Sequence, residues 1–135
     1  MVVVTSGYFD PLHVGHIECL ELAKALGSKL IVIVNNDHQA KLKKGKSFMS
    51  ENDRMKIVYS LKCVDEVFLS IDKDKSICQS LKFLSPDIFA KGGDRSKGEI
   101  PETKICKELN IKIVDGLGKK IRSSSKYTGL QEKLK

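Results

Sequence analysis

Two histidines, His13 and His16, stand three residues apart in the stretch GYFDPLHVGH, just after the apolar run VVVT. They fall where a first strand ends and a helix should begin. Residues three apart share one side of the first helical turn. A helix N-terminus also offers unpaired N–H groups and a partial positive charge, both of which suit a phosphate. The spacing therefore predicts an anion clamp, in which both imidazoles donate to the oxygens of a reacting phosphate.

Two other interpretations of the histidine pair stay open on the isolated motif. The pair could bind a metal, but the chain has one further histidine, His38, and no cysteine pair nearby. The imidazoles could also simply cap or pack the helix. Two glycines favour a ligand, because Gly7 lets the chain turn sharply off the strand and Gly15 lets backbone come close to a bound group.

The elements that must position the histidines alternate along the chain. We expect strands at 2–5, 29–34, 65–70, 87–91 and 111–115, and helices at 16–27, from the cap Ser50 onward, at 75–84, at 101–110 and at the C-terminus. We expect Gly27 to cap the first helix and the basic stretch KLKKGKSF to be a loop. The alternation predicts an α/β fold, a Rossmann-like doubly wound parallel five-stranded sheet with helices on both faces. Such sheets bind ligands at the carboxyl ends of their strands.

Bulk properties narrow the class of protein. A chain of 135 residues fits a single domain, 1–135. Its longest apolar run, LIVIV, is far too short to span a bilayer, and the start lacks a basic n-region, so we expect a cytoplasmic protein with no membrane partner. The formal charge of +7 suits small phosphates better than nucleic acid, because the basic residues are scattered. The four cysteines form no C-x-x-C pair and are expected to be small buried thiols.

Four motifs carry a resemblance to a known superfamily. GYFDPLHVGH resembles the H-x-G-H signature of the nucleotidyltransferases that include glycerol-3-phosphate cytidylyltransferase, heptose-1-phosphate adenylyltransferase and archaeal FAD synthetase. ENDRMKIVYSLKCVDEV is similar to the superfamily's E-x-R helix and V-D-E-V strand. FAKGGDR resembles the K-G-G-D of the heptose enzymes and the G-D-D of the glycerol enzymes, and IRSSSKY resembles the I-S-T-T segment. The motifs occur in the expected order over nearly the whole chain.

The resemblance implies a reaction. A phosphate monoester would attack the α-phosphate of a nucleoside triphosphate and release pyrophosphate, with Mg²⁺ bound to the nucleotide phosphates. The chain length slightly favours transfer of CMP from CTP to a small monoester such as glycerol 3-phosphate. The K-G-G-D segment favours the alternative, transfer from ATP to a sugar 1-phosphate or FMN. A non-catalytic nucleotide-binding sensor is the alternative of another class, and a homodimer is expected by resemblance.

The resemblance also implies roles for individual residues. The catalytic set is His13, His16, Lys44 and Arg54, with Arg54 expected to bind phosphate directly. The nucleotide-binding set is Gly7, Tyr8, Phe9, Asp10, Gly15, Gly92, Gly93, Asp94, Ser123, Ser124 and Ser125, in which Tyr8 and Phe9 supply backbone amides and Asp10 arranges the loop. The acceptor-binding set is Asp37, Lys43 and Lys46. No resident metal site made of protein side chains is expected.

Overall fold

A computed structural model describes residues 1–91 and 101–115. The elements in chain order are β1 (Val2–Gly7), α1 (Val14–Lys24), β2 (Lys29–Val34), α2 (Asp37–Lys44), α3 (Glu51–Tyr59), β3 (Glu66–Leu69), α4 (Cys78–Leu84), β4 (Ile88–Ala90), α5 (Pro101–Leu109) and β5 (Lys112–Val114). Strands and helices alternate as the sequence predicts, except that two helices follow β2.

The five strands form one parallel sheet in the order β3-β2-β1-β4-β5. Strand β1 lies at the centre and pairs with β2 from Val2 opposite Lys29 to Gly7 opposite Val34. The order reverses at β1, because the chain first builds outward through β2 and β3 and then returns to β4 on the other side. The carboxyl end of β1 is therefore the switch point at which such sheets bind ligands.

The core lies on both faces of this sheet. Adjacent residues of β1 point to opposite faces, so that Val3 packs with Leu20 of α1 and Val58 of α3, whereas Val4 packs with Leu81 of α4. Each of these apolar side chains is fully or almost fully buried. The predicted doubly wound α/β fold with helices on both faces is confirmed.

The stretch between β2 and α3 corrects the sequence prediction. Residues 37–44 form helix α2, so the first half of the predicted basic loop is helical. Asn36 caps this helix by accepting from the amide of Gln39, whose side chain accepts from the amide of Asn36 in return. The helix has almost no apolar stripe, since Gln39 and Ala40 are its only buried residues. Hydrophobic periodicity therefore gave no signal for it.

The ends of α1 also differ from the prediction. The helix begins at Val14 and ends at Lys24 with Ala25 as its C-cap, so Gly27 is not the cap. A Cβ at Gly27 would lie 2.6 Å from the carbonyl oxygen of Met1, which makes the glycine a close-packing residue beside the start of β1. Strand β2 matches its predicted limits, and the other strand limits differ from the prediction by one or two residues at an end.

The four cysteines are expected from the sequence to be small buried thiols. The four thiols are free; Cys106 is buried and the other three are half-buried. Burial raises the pKa of the Cys106 thiol to about 11, so that it stays protonated and packs as a small apolar group.

Within residues 1–91 and 101–115, no helix has the length and apolar character needed to cross a membrane.

Candidate active site

A cleft of about 790 Å³ opens at the carboxyl end of β1. Its walls come from the end of β1, the loop that follows it, the first turn of α1 and the last turn of α2. This size lies within the range of small-molecule sites. The residues predicted from the signature line it together: Gly7, Tyr8, Phe9, Asp10, His13, Gly15, His16, Lys43 and Lys44.

Both histidines cap helix α1. Residue His13 is the N-cap, and its Nδ1 accepts from the amide of Gly15 at 3.1 Å. The Nδ1 of His16 accepts from the amide of His13 at 3.2 Å, which completes a capping box made by imidazoles. Because each Nδ1 is an acceptor, the proton of each neutral ring lies on Nε2. Capping and ligand binding are therefore compatible, since one nitrogen holds the helix and the other remains a donor.

The two rings are stacked, with their centroids 3.8 Å apart and their planes at 29°. Burial lowers the pKa of His16 to about 4, and the neighbouring His13 adds to the effect. A second proton would have to enter at Nδ1, where it would break the bond to the amide of His13. His16 is accordingly a neutral hydrogen-bond donor at physiological pH.

The ring of Phe9 fixes the position of His16 from the core side. Phe9 is buried and contacts His16 edge to face, with ring centroids 5.1 Å apart. Its backbone adopts φ of 52°, a left-handed conformation that is rare for an aromatic residue. A Cβ at Gly7 would lie 2.7 Å from Cζ of this ring. The glycine thus leaves the room that Phe9 needs to fold back over β1.

Asp10 joins the signature loop to the segment between α2 and α3. Its side chain is completely buried and accepts from the amides of Phe48 and Met49, both at 2.7 Å. It also pairs with Nζ of Lys44 at 3.1 Å. Burial alone would raise the pKa of Asp10, but these hydrogen bonds outweigh it and hold the pKa below its usual range. Asp10 thus arranges the loop, and it holds Lys44 at the cleft.

Arg54 is completely buried beneath the signature loop. Its guanidinium donates to the carbonyl oxygens of Tyr8 at 2.9 Å, Asn35 at 2.6 Å and Met49 at 3.1 Å, and to the carboxylate of Asp37 at 2.7 Å. A side chain without exposed surface and with these four partners is not presented to a ligand. The prediction that Arg54 binds phosphate directly does not fit this placement.

The predicted acceptor-binding residues do not lie together. Lys43 places its Nζ 4.6 Å from the centroid of the Tyr8 ring, within the cleft. Lys46 is exposed beyond the end of α2 and is not among the residues that line the cleft. Asp37 is the first residue of α2, and its carboxylate pairs with Arg54. The predicted residues Gly92, Gly93, Asp94, Ser123, Ser124 and Ser125 lie outside the described residues.

Sequence reasoning missed the support beneath the cleft. Gln39 is fully buried and donates to the carbonyl oxygens of Asp74 at 2.7 Å and Ser76 at 2.8 Å, which ties the loop after β3 to α2. Asn35 and Met49 contribute through their carbonyl groups, which carry no signal in the sequence. Only the pattern of Asn36 followed by Gln39, a capping box, could have revealed α2 and its buried amide.

The described residues also bear on the expected Mg²⁺. Among residues 1–91 and 101–115, no cluster of three or more histidine, cysteine, aspartate or glutamate side chains could hold a metal ion. Mg²⁺ commonly binds through substrate phosphates and water with little help from protein carboxylates. An ion that arrives with the nucleotide is compatible with the donor groups of these described residues, and Mg²⁺ stays a prediction.

Comparison with known proteins decides the family. A family model described as cytidylyltransferase-like matches residues 4–125. The chain belongs to the cytidylyltransferase-like family. The family match spans the signature, the cleft and most of the sheet, and it confirms the predicted nucleotidyltransferase at this level.

Curated relatives of this cytidylyltransferase-like chain include two proteins named bifunctional protein HldE. The one from Helicobacter pylori (strain G27) is 41% identical over 112 residues, which cover 82% of this chain and 24% of that protein. The one from a Nitratiruptor species is 38% identical over 118 residues, covering 85% of this chain and 25% of that protein. The chain thus spans about a quarter of the length of these relatives.

Solved structures agree with the fold of the cytidylyltransferase-like chain. The lipopolysaccharide core biosynthesis protein from Thermoplasma volcanium GSS1 is 30% identical, with a TM-score of 0.73 and coverage of 85% of this chain and 94% of that one. Pantoate-beta-alanine ligase from Francisella tularensis is 18% identical with a TM-score of 0.54, covering 84% of this chain and 57% of that one. The second likeness shows the fold alone.

Proposed function

We propose that this nucleotidyltransferase transfers AMP from ATP to a sugar 1-phosphate and releases pyrophosphate. The observation that carries the nucleotidyl transfer is the stacked pair His13 and His16, which cap α1 and keep their Nε2 donors. A phosphate monoester is already a competent nucleophile, so the site needs no general base. It must align two phosphates and balance the charge that builds up between them.

The histidines supply neutral donors at the reacting phosphate. His16 is half-buried between Phe9 and His13, with its Nδ1 occupied, so its Nε2–H has a fixed direction. Donors that are already oriented stabilise a developing charge without the cost of reorganisation. The low pKa of His16 means that the ring gives a hydrogen bond rather than a full charge before the nucleotide binds.

Lys44 supplies the positive charge. Its ammonium is held by Asp10, and the Lys44 side chain as a whole stays about one-third exposed at the cleft. In the proposed reaction Lys44 contacts a phosphate while Asp10 keeps the segment from Gly45 to Met49 in place. Mg²⁺, bound to the nucleotide phosphates, supplies further charge neutralisation at the leaving pyrophosphate.

Arg54 acts through position in this proposal. It fixes the carbonyl of Tyr8 in the signature loop, that of Asn35 at the end of β2 and that of Met49 before α3. Tyr8 itself lines the cleft, and Met49 belongs to the segment whose amides bind Asp10. A single buried guanidinium therefore ties the signature loop to the end of β2 and to the start of α3.

The relatives favour ATP and a sugar 1-phosphate as substrates. The two proteins named bifunctional protein HldE are about 40% identical to this chain, which supports the adenylyl-transferring heptose enzymes over the glycerol enzymes. The K-G-G-D segment points the same way. CTP with glycerol 3-phosphate is the second candidate, favoured by the cytidylyltransferase-like description of the matching family.

The test is pyrophosphate release with Mg²⁺, crossing ATP, CTP, UTP and GTP with heptose 1-phosphate, glucose 1-phosphate, glycerol 3-phosphate and FMN. We expect release that requires ATP together with a sugar 1-phosphate. Pyrophosphate release with CTP and glycerol 3-phosphate would mean that these are the substrates instead. No pyrophosphate release with any pair, together with tight nucleotide binding, would favour a non-catalytic sensor. Replacement of His16 by Ala should lower kcat by about a hundredfold or more. The exposed His38→Ala variant is the control.

A further inference from the structure

The hydroxyl of Tyr8 has no hydrogen-bond partner in the part of the chain that the structure describes. Within residues 1–91 and 101–115 it is the one buried side-chain nitrogen or oxygen atom left unpaired. Buried polar groups are almost always paired, because an unpaired one costs roughly 1–3 kcal/mol. The backbone of this residue is held by Arg54, which donates to its carbonyl oxygen at 2.9 Å. An unpaired group at a fixed position beside a cleft calls for a functional explanation.

Two groups near the hydroxyl define its chemistry. Burial raises the pKa of Tyr8, and the Arg54 guanidinium opposes only part of that rise, so the phenol keeps its proton and remains a donor. The ammonium of Lys43 lies over the ring, 4.6 Å from its centroid. Lys43 is exposed and forms no ion pair with another described residue. A phenol O–H donor with an ammonium over the face of its ring suits an oxygen-rich anion.

The topology places Lys43 on the β2 side of the cleft. Lys43 lies on α2, which follows β2, and β2 neighbours β1 on the side away from β4. From that side its ammonium reaches the ring of Tyr8, which follows the central strand β1. The nucleotide is expected at the segment after β4, so the β2 side is the one left for the acceptor.

We propose that the Tyr8 hydroxyl and the Lys43 ammonium form the subsite for the phosphate of the acceptor. In this proposal Lys43 leaves the ring face and pairs with the phosphate, and the Tyr8 hydroxyl donates to one of the phosphate oxygens. A cation–π contact at an exposed site is weak, so a charge-assisted bond to a phosphate readily replaces it. This inference rests on the proposed function. It gives the side chain of Tyr8 a role in acceptor binding, which is separate from the role in nucleotide binding expected of its backbone amide.

The first experiment compares Tyr8→Phe with Tyr59→Phe, which removes the same hydroxyl from an exposed position on α3. Binding of inorganic phosphate is measured by calorimetry with the nucleotide subsite filled by a non-hydrolysable triphosphate analogue. We expect Tyr8→Phe to raise the Kd for phosphate about tenfold, which is the lower end of the effect of losing a hydrogen bond to a charged group. Tyr59→Phe should leave the Kd unchanged. The midpoint of thermal unfolding of free Tyr8→Phe should equal or exceed that of the wild type, because an unpaired buried hydroxyl is removed.

A second pair tests the cation. Lys43→Met should weaken phosphate binding by a similar factor, whereas Lys41→Met, an exposed lysine on the same helix, should not. In turnover with heptose 1-phosphate, Tyr8→Phe should raise the KM for the acceptor and leave the KM for the nucleotide unchanged. A rise confined to the nucleotide KM would overturn the assignment to the acceptor.

Two results would overturn the subsite itself. A clear loss of thermal stability in Tyr8→Phe would mean that the hydroxyl is paired in the free protein. Phosphate binding that is absent in the wild type, or equal in the wild type and Tyr8→Phe, would mean that the hydroxyl recognises no phosphate. Binding and unfolding need no turnover. A wild type that binds phosphate through Tyr8 but releases no pyrophosphate would therefore overturn the proposed function and leave the subsite standing.

Discussion

Replacement of Arg54 by Met tests whether one buried guanidinium holds the site together. Methionine fills similar space but donates no hydrogen bonds, so the carbonyl groups of Tyr8, Asn35 and Met49 lose their partner. The bond to Asn35 is buried and the other two are partly buried. Taking about 2 kcal/mol for the buried carbonyl and about 1 kcal/mol for each of the others gives a destabilisation of about 4 kcal/mol.

The ionic part of the Arg54 interaction adds little to this figure. The side chain of Asp37 is 41% exposed, so water solvates its charge once the guanidinium is gone. Removal of the buried cation also removes the cost of its desolvation. The expected loss therefore comes from the orphaned carbonyl groups rather than from a broken ion pair.

The assay is urea unfolding of Arg54→Met beside Lys56→Met, which makes the same charge change at an exposed position on the same helix. The control should stay within about 0.5 kcal/mol of the wild type. The kcat of Arg54→Met should fall as well, measured where the variant is still folded, because the signature loop loses its anchor. If Arg54→Met were as stable as Lys56→Met and only bound phosphate more weakly, Arg54 would be a ligand-binding residue and not the anchor of the signature loop.

Three further predictions concern the signature loop and helix α1. Asp10→Asn should lower kcat about a hundredfold, because Lys44 loses its ion pair and the amides of Phe48 and Met49 lose their charged acceptor. Steady-state kinetics of this variant beside the exposed Asp53→Asn variant measures the effect. Equal kcat values in the two variants would contradict the prediction. Gly15→Ala should lower kcat about tenfold, because the new Cβ would lie 3.1 Å from Cε1 of His13 and displace the imidazole ring. The free energy of unfolding should change by less than about 1 kcal/mol. An unchanged kcat would show that the position of the His13 ring is not critical for catalysis. The pKa of His16 is about 4 in the fold against 6.5 in the unfolded chain, so the unfolded state binds more protons between these values and stability should fall from pH 7 to pH 4 through this group. The full shift corresponds to about 3 kcal/mol over this range, and water around the half-exposed ring reduces the expected fall to about 2 kcal/mol. Unfolding at several pH values should show that fall reduced in His16→Gln but kept in His38→Gln, and equal pH profiles would contradict the assignment.

The sheet and the catalytic signature could be predicted from the sequence for physical reasons. Strand β2 is a continuous apolar run because both of its faces are buried, and its limits match the prediction. The histidine spacing placed both imidazoles on one turn, and the structure stacks them there. Period and spacing are local properties, so a single sequence displays them.

The features that were missed depend on contacts between distant segments. Arg54 looks like a surface residue in the sequence, yet its partners come from segments up to 46 residues away. Helix α2 has too few buried residues to show a period, since its stability comes from its capping box and from Gln39. The orphan hydroxyl of Tyr8 could not be predicted either, because only the folded arrangement shows that it has no hydrogen-bond partner among the described residues.

Active-site groups are often a thermodynamic burden, and their removal commonly stabilises an enzyme. The imidazole cap of helix α1 reverses that relation here, because the nitrogen atoms that orient the donors also close the first helical turn. A substitution of either histidine therefore removes a helix cap as well as a catalytic group, and the helix stays destabilised until another capping residue replaces it. Selection for folding alone would thus tend to preserve this pair, and engineering for thermal stability has little to gain by replacing it.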